Sequence, residues 1–378
     1  MTHQDTRVTD GPDASAGRRR LGRRAVLRGA ALGAAAPLIP ATAATAATAA
    51  PASAAPGTAV PATAAHDAAT TATATTATGA SAGESAAGDS PAPAAASVAF
   101  RWFGTAGWRI DVGDRTVLFD PYLTRFPTGL FDGAFDPRTR LRTDPKTVDA
   151  HIGRPELVLV SHSHWDHLSD VPHIAKTTGA RVVGTETTYH LLVSLGVDAG
   201  QISVVKGGEV LDFGGITVEV VPSLHSRNKS CSYFAPGTLH SRPARTPRTI
   251  ADLPEGDTLA FQVTAGAGGP SAFLMGASDF SERAVSGLRP DLAMVAVPTS
   301  TSTPRYVPRL LRALGTPGVV VPVHWDDFEL PLTGSPVPDP AADLDAFLAQ
   351  VREVSPATRV VRPDYRTVYD GEMRPAQR

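Results

Sequence analysis

From residue 98 onward, short apolar runs alternate with Gly- and Pro-containing turns, the pattern of a folded domain. Runs at residues 117–119, 157–160, 217–221, 272–275 and 319–321 read as strands. Each gives way within a few residues to a polar group: Asp120, the cluster from His162 to His167, His225, Asp279 and His324. An α/β domain gathers its active site at the C-terminal ends of its strands, so these five exits are the place to look for chemistry. Apolar spacing predicts helices at 171–178, 187–195, 307–314 and 341–351; in the second, Tyr189, Leu192, Val193 and Leu195 share a face. The alternation predicts an α/β domain with sheets inside and helices packed outside.

The pattern is absent before residue 98. Residues 46–97 are Ala, Thr, Pro, Ser and Gly with scarcely an aromatic, and too little apolar surface to offset chain entropy, so they are expected to be a disordered linker. Residues 1–45 hold a basic segment, including Arg23 and Arg24, followed by a short Ala-rich apolar stretch. That order predicts a signal peptide, and the arginine pair resembles a twin-arginine signal. The expected partner is the twin-arginine export machinery, and the expected location is extracellular or cell-wall associated. The apolar stretch is too short for a stable membrane span. This leaves residues 98–378 as the folded domain.

Charge changes the picture little. The whole chain carries a formal net charge of −2, and residues 29–378 hold 28 basic against 34 acidic side chains. That balance disfavours a nucleic-acid partner. The single cysteine, Cys231, excludes an intrachain disulfide.

His162, His164, Asp166 and His167 fall within six residues after an apolar strand. Histidines two apart on an extended turn can face one cation, and the Asp and His beyond them can reach a neighbouring one. Imidazole and carboxylate suit Zn2+, with Mn2+ or Fe2+ also compatible.

The H-x-H-x-D-H motif resembles that of the metallo-β-lactamase superfamily, and the likeness extends over roughly residues 100–368. It implies a four-layer αββα sandwich and two divalent metal ions. On that resemblance His162, His164 and His225 hold the first metal and Asp166, His167 and His324 the second. Asp279 bridges them as a further ligand and, with Asp166, is counted as catalytic. Asp120 orients the histidine loop from behind. The wording around Phe119-Asp120-Pro121-Tyr122-Leu123, Pro222-Ser223-Leu224-His225-Ser226 and Val323-His324-Trp325 is similar to the branch of ascorbate-6-phosphate lactonases and the phospholipase D that cleaves N-acyl-phosphatidylethanolamine. Gly104-Thr105-Ala106-Gly107 stands where that branch carries Gly-His-Ala.

Two metals about 3.5–4 Å apart lower the pKa of a bridging water, and the resulting hydroxide can attack a carbonyl carbon or a phosphorus. The expected function is therefore an exported two-metal hydrolase of a phosphodiester or lactone bond in a small-molecule or lipid-like substrate. The alternatives are a β-lactamase or other amide hydrolase, against which an Asp at 279 argues, and a non-catalytic metal- or ligand-binding module. Residues 124–150 and 232–256 read as irregular insertions beside the site. Their aromatics either line a substrate pocket or anchor the loops to the core. Arg227 and Lys229 either neutralise a substrate phosphate or are solvent-exposed loop charges.

Overall fold

The computed structural model describes residues 97–266 and 268–376. The expected signal peptide, and the linker up to residue 96, lie outside the described residues.

The domain opens with an antiparallel meander, β1 (Val98–Trp102), β2 (Trp108–Val112) and β3 (Arg115–Phe119). In β1 and β2 every second residue is buried, the two-residue period of a strand with one face on the core. After α1 (Pro145–Ile152) the chain turns to parallel pairing: β4 (Pro155–Leu159) lies beside β3. Two helices follow, α2 (Trp165–Leu168) and α3 (Val171–Thr178). Then β5 (Arg181–Gly184), α4 (Glu186–Ser194) and β6 (Ile202–Val204) complete the parallel half.

The second sheet repeats this plan. β7 (Val210–Asp212), β8 (Ile216–Leu224), β9 (Leu259–Ala265) and β10 (Ser271–Met275) form an antiparallel meander. The two-residue β11 (Asp279–Phe280) pairs with the far end of β8. After α5 (Glu282–Val285), β12 (Leu292–Ala296), α6 (Tyr306–Ala313), β13 (Val319–Val323), α7 (Leu344–Val354) and β14 (Arg359–Val360) extend it in parallel. The last strand, β15 (Val368–Asp370), crosses back to pair with β1. The orders are β15-β1-β2-β3-β4-β5-β6 and β11-β8-β9-β10-β12-β13-β14, with β7 also on β8.

Phe119 and Phe261 meet edge to face at 6.1 Å, which sets the inner faces of the two sheets against each other. Every position of β12 and β13 is buried, so both faces of that sheet are covered. On α6 the buried residues are Tyr306, Val307, Leu310 and Leu311, the one-sided stripe of a helix laid on a sheet. This is the four-layer αββα sandwich that the motif implied. Near the rim Trp102 stacks on Trp325 (5.3 Å) and packs against Tyr365 (5.2 Å), all buried. Each such ring contributes about 2–3 kcal/mol by leaving water.

One expectation needs correction. Residues 124–150 are not irregular throughout, since α1 begins within them. Asp144 caps that helix by accepting from the amides of Lys146 and Thr147, and Pro145 starts it. An Asp-Pro pair is a helix-start signal with a physical cause.

Candidate metal centre

The five expected strand exits are the ends of β3, β4, β8, β10 and β13. Two groups of donors assemble there. His162, His164 and His225 form one, and Asp166, His167 and His324 the other; within each group the donor atoms all lie within 4.8 Å of one another. The rings of His162 and His167 are 3.9 Å apart, so the groups are neighbours on one floor.

In the first group the rings sit at the corners of a triangle, 4.9, 4.7 and 4.7 Å between centroids. Each ring has one nitrogen occupied by the protein. His162 Nδ1 lies 3.0 Å from Ser161 Oγ, His164 Nε2 donates to the Ala235 carbonyl (3.4 Å), and His225 Nδ1 donates to the Ser226 carbonyl (2.8 Å). The other nitrogen of each is left for a ligand. His162 Nε2 is buried with no partner at all. A buried polar atom without a partner is costly, and a metal ion satisfies it. Burial drives all three rings towards the neutral form: His162 falls well below the usual imidazole range, His164 to about 4 and His225 to about 3. Neutral imidazole is the form that binds metal.

The second group is charged. Burial alone would push the Asp166 carboxyl up, but His167 and His324 outweigh it and hold it well below the usual range. Burial opposes protonation of His167, yet Asp166 and Asp120 together lift it to about 10. Asp166 Oδ2 lies 3.3 Å from His167 Nε2 and 3.1 Å from His324 Nε2. This pocket holds positive charge, and a divalent cation supplies it. The donor sets of both groups therefore fit divalent metal ions.

Asp120 lies behind the centre, as expected, and does more than orient one loop. Fully buried, it accepts from the Ser161 amide (2.7 Å), from Ser161 Oγ (2.5 Å) and from His167 Nδ1 (2.8 Å). It thereby sets the tautomer of His167, and through Ser161 it touches the partner of His162. Opposite it stands Gly276, where a Cβ would collide with Ser161 Oγ and come within 2.6 Å of Asp120 Oδ2. Only glycine fits that approach.

The structure does not bring Asp279 to the centre. It belongs to neither donor group and does not line the cavity above them. Pairing with Leu224 in β11 places it off the floor; its side chain accepts from the Phe280 amide, and Arg227 and Arg309 are its charged neighbours. The chain passes the centre earlier, at Gly276 and Ala277, neither of which carries a donor. Among the described residues, Asp166 is the one carboxylate in either donor group.

Sequence reasoning missed what holds His324. Its φ is +59°, the left-handed region, at about 1–2 kcal/mol for a residue with a Cβ. Its amide donates to the Thr105 carbonyl (2.7 Å), and the Thr105 amide donates to Asp326 Oδ1 (2.9 Å). Asp326 Oδ2 accepts from Arg125 (2.5 Å) and from the Tyr365 hydroxyl (2.6 Å), with all three side chains buried. So Thr105, in the Gly104–Gly107 turn, serves through its backbone. Gly104 is required there: at φ +79° a Cβ would lie 2.6 Å from Asp326 Oδ2. Arg125 and Asp326 are 201 residues apart, and neither sits in a motif.

Above the floor is a cavity of about 600 Å³ lined by all six donors. The two insertions close over it together. They are tied by backbone bonds from Leu141 to Arg248 and from Ile250 to Thr139, and Phe135 meets Phe234 edge to face at 5.1 Å. Their aromatics divide between the two expected roles: Phe126 is buried in the core and Phe135 packs on Trp165, whereas Phe131, Tyr233 and Phe234 line the cavity. Tyr233 stacks on His225 at 4.5 Å. Arg227 and Lys229 do not line the cavity; both are exposed, and the Arg227 guanidinium lies 5.7 Å from the Tyr233 ring centroid. His240 is exposed beside Glu186 and does not reach the centre. One carboxylate outside the donor groups does line it. Asp339 is half-buried; burial raises its carboxyl and His324 pulls it partly back.

A family model described as a β-lactamase superfamily domain matches residues 99–324, ending on the last of the six donors. The chain is 30% identical over 245 residues to a UPF0173 metal-dependent hydrolase of Polynucleobacter asymbioticus, covering 62% of this chain and 78% of that one. It is 28% identical over 244 residues to a UPF0173 metal-dependent hydrolase of Cupriavidus taiwanensis, covering 62% and 76%. Among solved structures it resembles Igni18, a metallo hydrolase from Ignicoccus hospitalis, at 19% identity and a TM-score of 0.47, covering 72% of this chain and 98% of that one. Since the match spans every strand that delivers a donor, the chain belongs to the metallo-β-lactamase superfamily and is a metal-dependent hydrolase.

Proposed function

We propose that this protein is an exported two-metal hydrolase that opens a lactone or phosphodiester bond. The observation that carries the reading is the pair of three-donor groups sharing one cavity floor. Divalent ions, Zn2+ by donor preference, supply Lewis acidity and a nucleophile from water at neutral pH. The chain's own residues do the rest. Asp120, Ser161 and the Ser226 carbonyl fix the ring orientations. The flap from the two insertions limits water over the scissile bond. Asp339, a carboxyl raised by burial within the same cavity, is placed to give a proton to the leaving oxygen.

A second reading is amide hydrolysis of the β-lactam kind. The argument against it rested on a carboxylate at the bridging position, and Asp279 does not stand there.

The test is elemental analysis together with turnover of a lactone, bis(p-nitrophenyl) phosphate and a chromogenic cephalosporin, repeated for His225→Ala. Two metals per chain, with lactone or phosphodiester turnover lost in His225→Ala, supports the leading reading. Cephalosporin turnover alone selects the second. A fully loaded protein that turns over none of the three overturns both and leaves a binding module. Export rests on the Arg23–Arg24 segment. Exchange of both for Lys abolishes secretion on the twin-arginine reading, and unchanged secretion sinks it.

A further inference from the structure

Resting on the hydrolase reading, we infer that the substrate presents an alkyl or aryl group to an aromatic wall beside the metals and carries no second charge near its scissile bond. The wall is Leu130 and Phe131 from the first insertion, Phe234 from the second, Phe328 from the loop after β13, and Pro340 with Ala341 beyond it. Phe131 meets Phe328 edge to face at 4.9 Å, and Phe328 packs in turn on His324 at 5.1 Å, so the apolar surface runs unbroken to the donors. On the opposite side Phe234 lies 5.9 Å from His164. Leu130 stays 42% exposed, much for a large aliphatic side chain that nothing in the domain covers.

Charge points the same way. Among the described residues no Lys or Arg lines the cavity, and the one lining carboxylate outside the donor groups is Asp339. Sites that take a phosphorylated sugar or a nucleotide hold the extra anion with Arg, Lys or a helix N-terminus. Here the nearest basic side chain in sequence, Arg227, lies 5.7 Å from the Tyr233 ring centroid and lines the neighbouring cleft on the other side of His225 and Tyr233, with Lys206 and Glu255, not this cavity. An added anion in this cavity would meet aromatic faces and Asp339, and would remain unpaired. Among the described residues lining this cavity, bound metals would be the one strong positive charge, and the scissile group or its product acid would take that place. What is left for the remainder of the substrate is apolar area.

The test uses binding of straight-chain carboxylates, so that it stands apart from turnover. The metal-loaded full chain is titrated calorimetrically with acetate, butanoate, hexanoate and decanoate, and with adipate. The carboxylate occupies the metals and the chain meets the wall. Affinity should rise about fourfold for each methylene buried, until the wall is covered. Adipate should bind at least tenfold more weakly than hexanoate. In Phe131→Ala and Phe234→Ala decanoate should lose at least tenfold while acetate and metal content hold, and Phe131→Leu should recover most of the loss. The inference is overturned if decanoate binds no tighter than acetate, if adipate equals hexanoate, or if neither Phe variant alters the chain-length slope. Absence of turnover on every substrate class, with the slope intact, would sink the hydrolytic reading and leave the wall standing.

Discussion

His162, His164 and His225 present three neutral imidazoles, whereas Asp166, His167 and His324 set a carboxylate between two rings. The first group is prepared by desolvation: burial removes protons from its rings, and hydrogen bonds to a hydroxyl and two carbonyls orient them. The second is prepared by charge: Asp120 and Asp166 hold His167, and a buried Arg125–Asp326 pair anchors the turn that carries His324. Behind the floor the two groups are linked through Asp120, which meets His167 directly and His162 through Ser161. Two sites of similar size are thus readied for cations by opposite means, and they should respond differently to the same perturbation.

The largest difference should appear with pH. The first group's imidazoles are already neutral above about pH 4, so its metal affinity should be flat across pH 6–9. In the second group His167 is held at about 10 and must lose its proton to bind. Affinity there should fall about tenfold per unit of acidification, a thousandfold from pH 9 to 6. Competition titrations with a zinc chelator at several pH values read both constants; parallel pH slopes would break the comparison.

Next in size is Asp326→Ala. It leaves Arg125 buried without its partner, which costs about 3–5 kcal/mol, and frees the Thr105 and His324 clasp. Denaturant melts should register the loss, and elemental analysis should show the second metal depleted before the first. Equal depletion of both metals would mean that the anchor serves the whole centre.

Asp339→Asn probes the cavity without touching a donor. Loss of a general acid costs about 100-fold in kcat for a lactone with an alkoxide leaving group. It should cost far less for bis(p-nitrophenyl) phosphate, whose leaving group needs no proton. An equal loss on both substrates would mean that Asp339 positions and does not protonate. The smallest effect belongs to Asp279→Ala: metal content unchanged and turnover within about twofold, since the residue sits outside both groups. A large loss would restore it as a bridge.

Much of this was legible in the chain because it is local. A β-strand exposes its next residues at its end, so apolar runs followed by His or Asp disclosed five of the strands and the six donors with them. Helix periodicity likewise placed α3, α4, α6 and α7 to within a few residues. The wrong assignment came where local reading has no resolution. After β10 the chain offers Gly276, Ala277, Ser278 and Asp279, and which of them faces the metals depends on a turn and on pairing with β8, not on composition. Asp279 was the only ionisable choice, and the short ladder carried it aside.

Sequence alone determined the α/β alternation, the donor types and their order along the chain, because these follow from periodicity and from coordination chemistry that each segment carries by itself; the sandwich came from the motif's resemblance. Tertiary structure alone decided that Arg125, Asp326 and Tyr365 meet, that the two insertions join into one flap, and that aromatics wall the cavity. These are contacts between segments tens to hundreds of residues apart. Their energies come from burial and charge pairing that exist only once the two sheets have closed on each other.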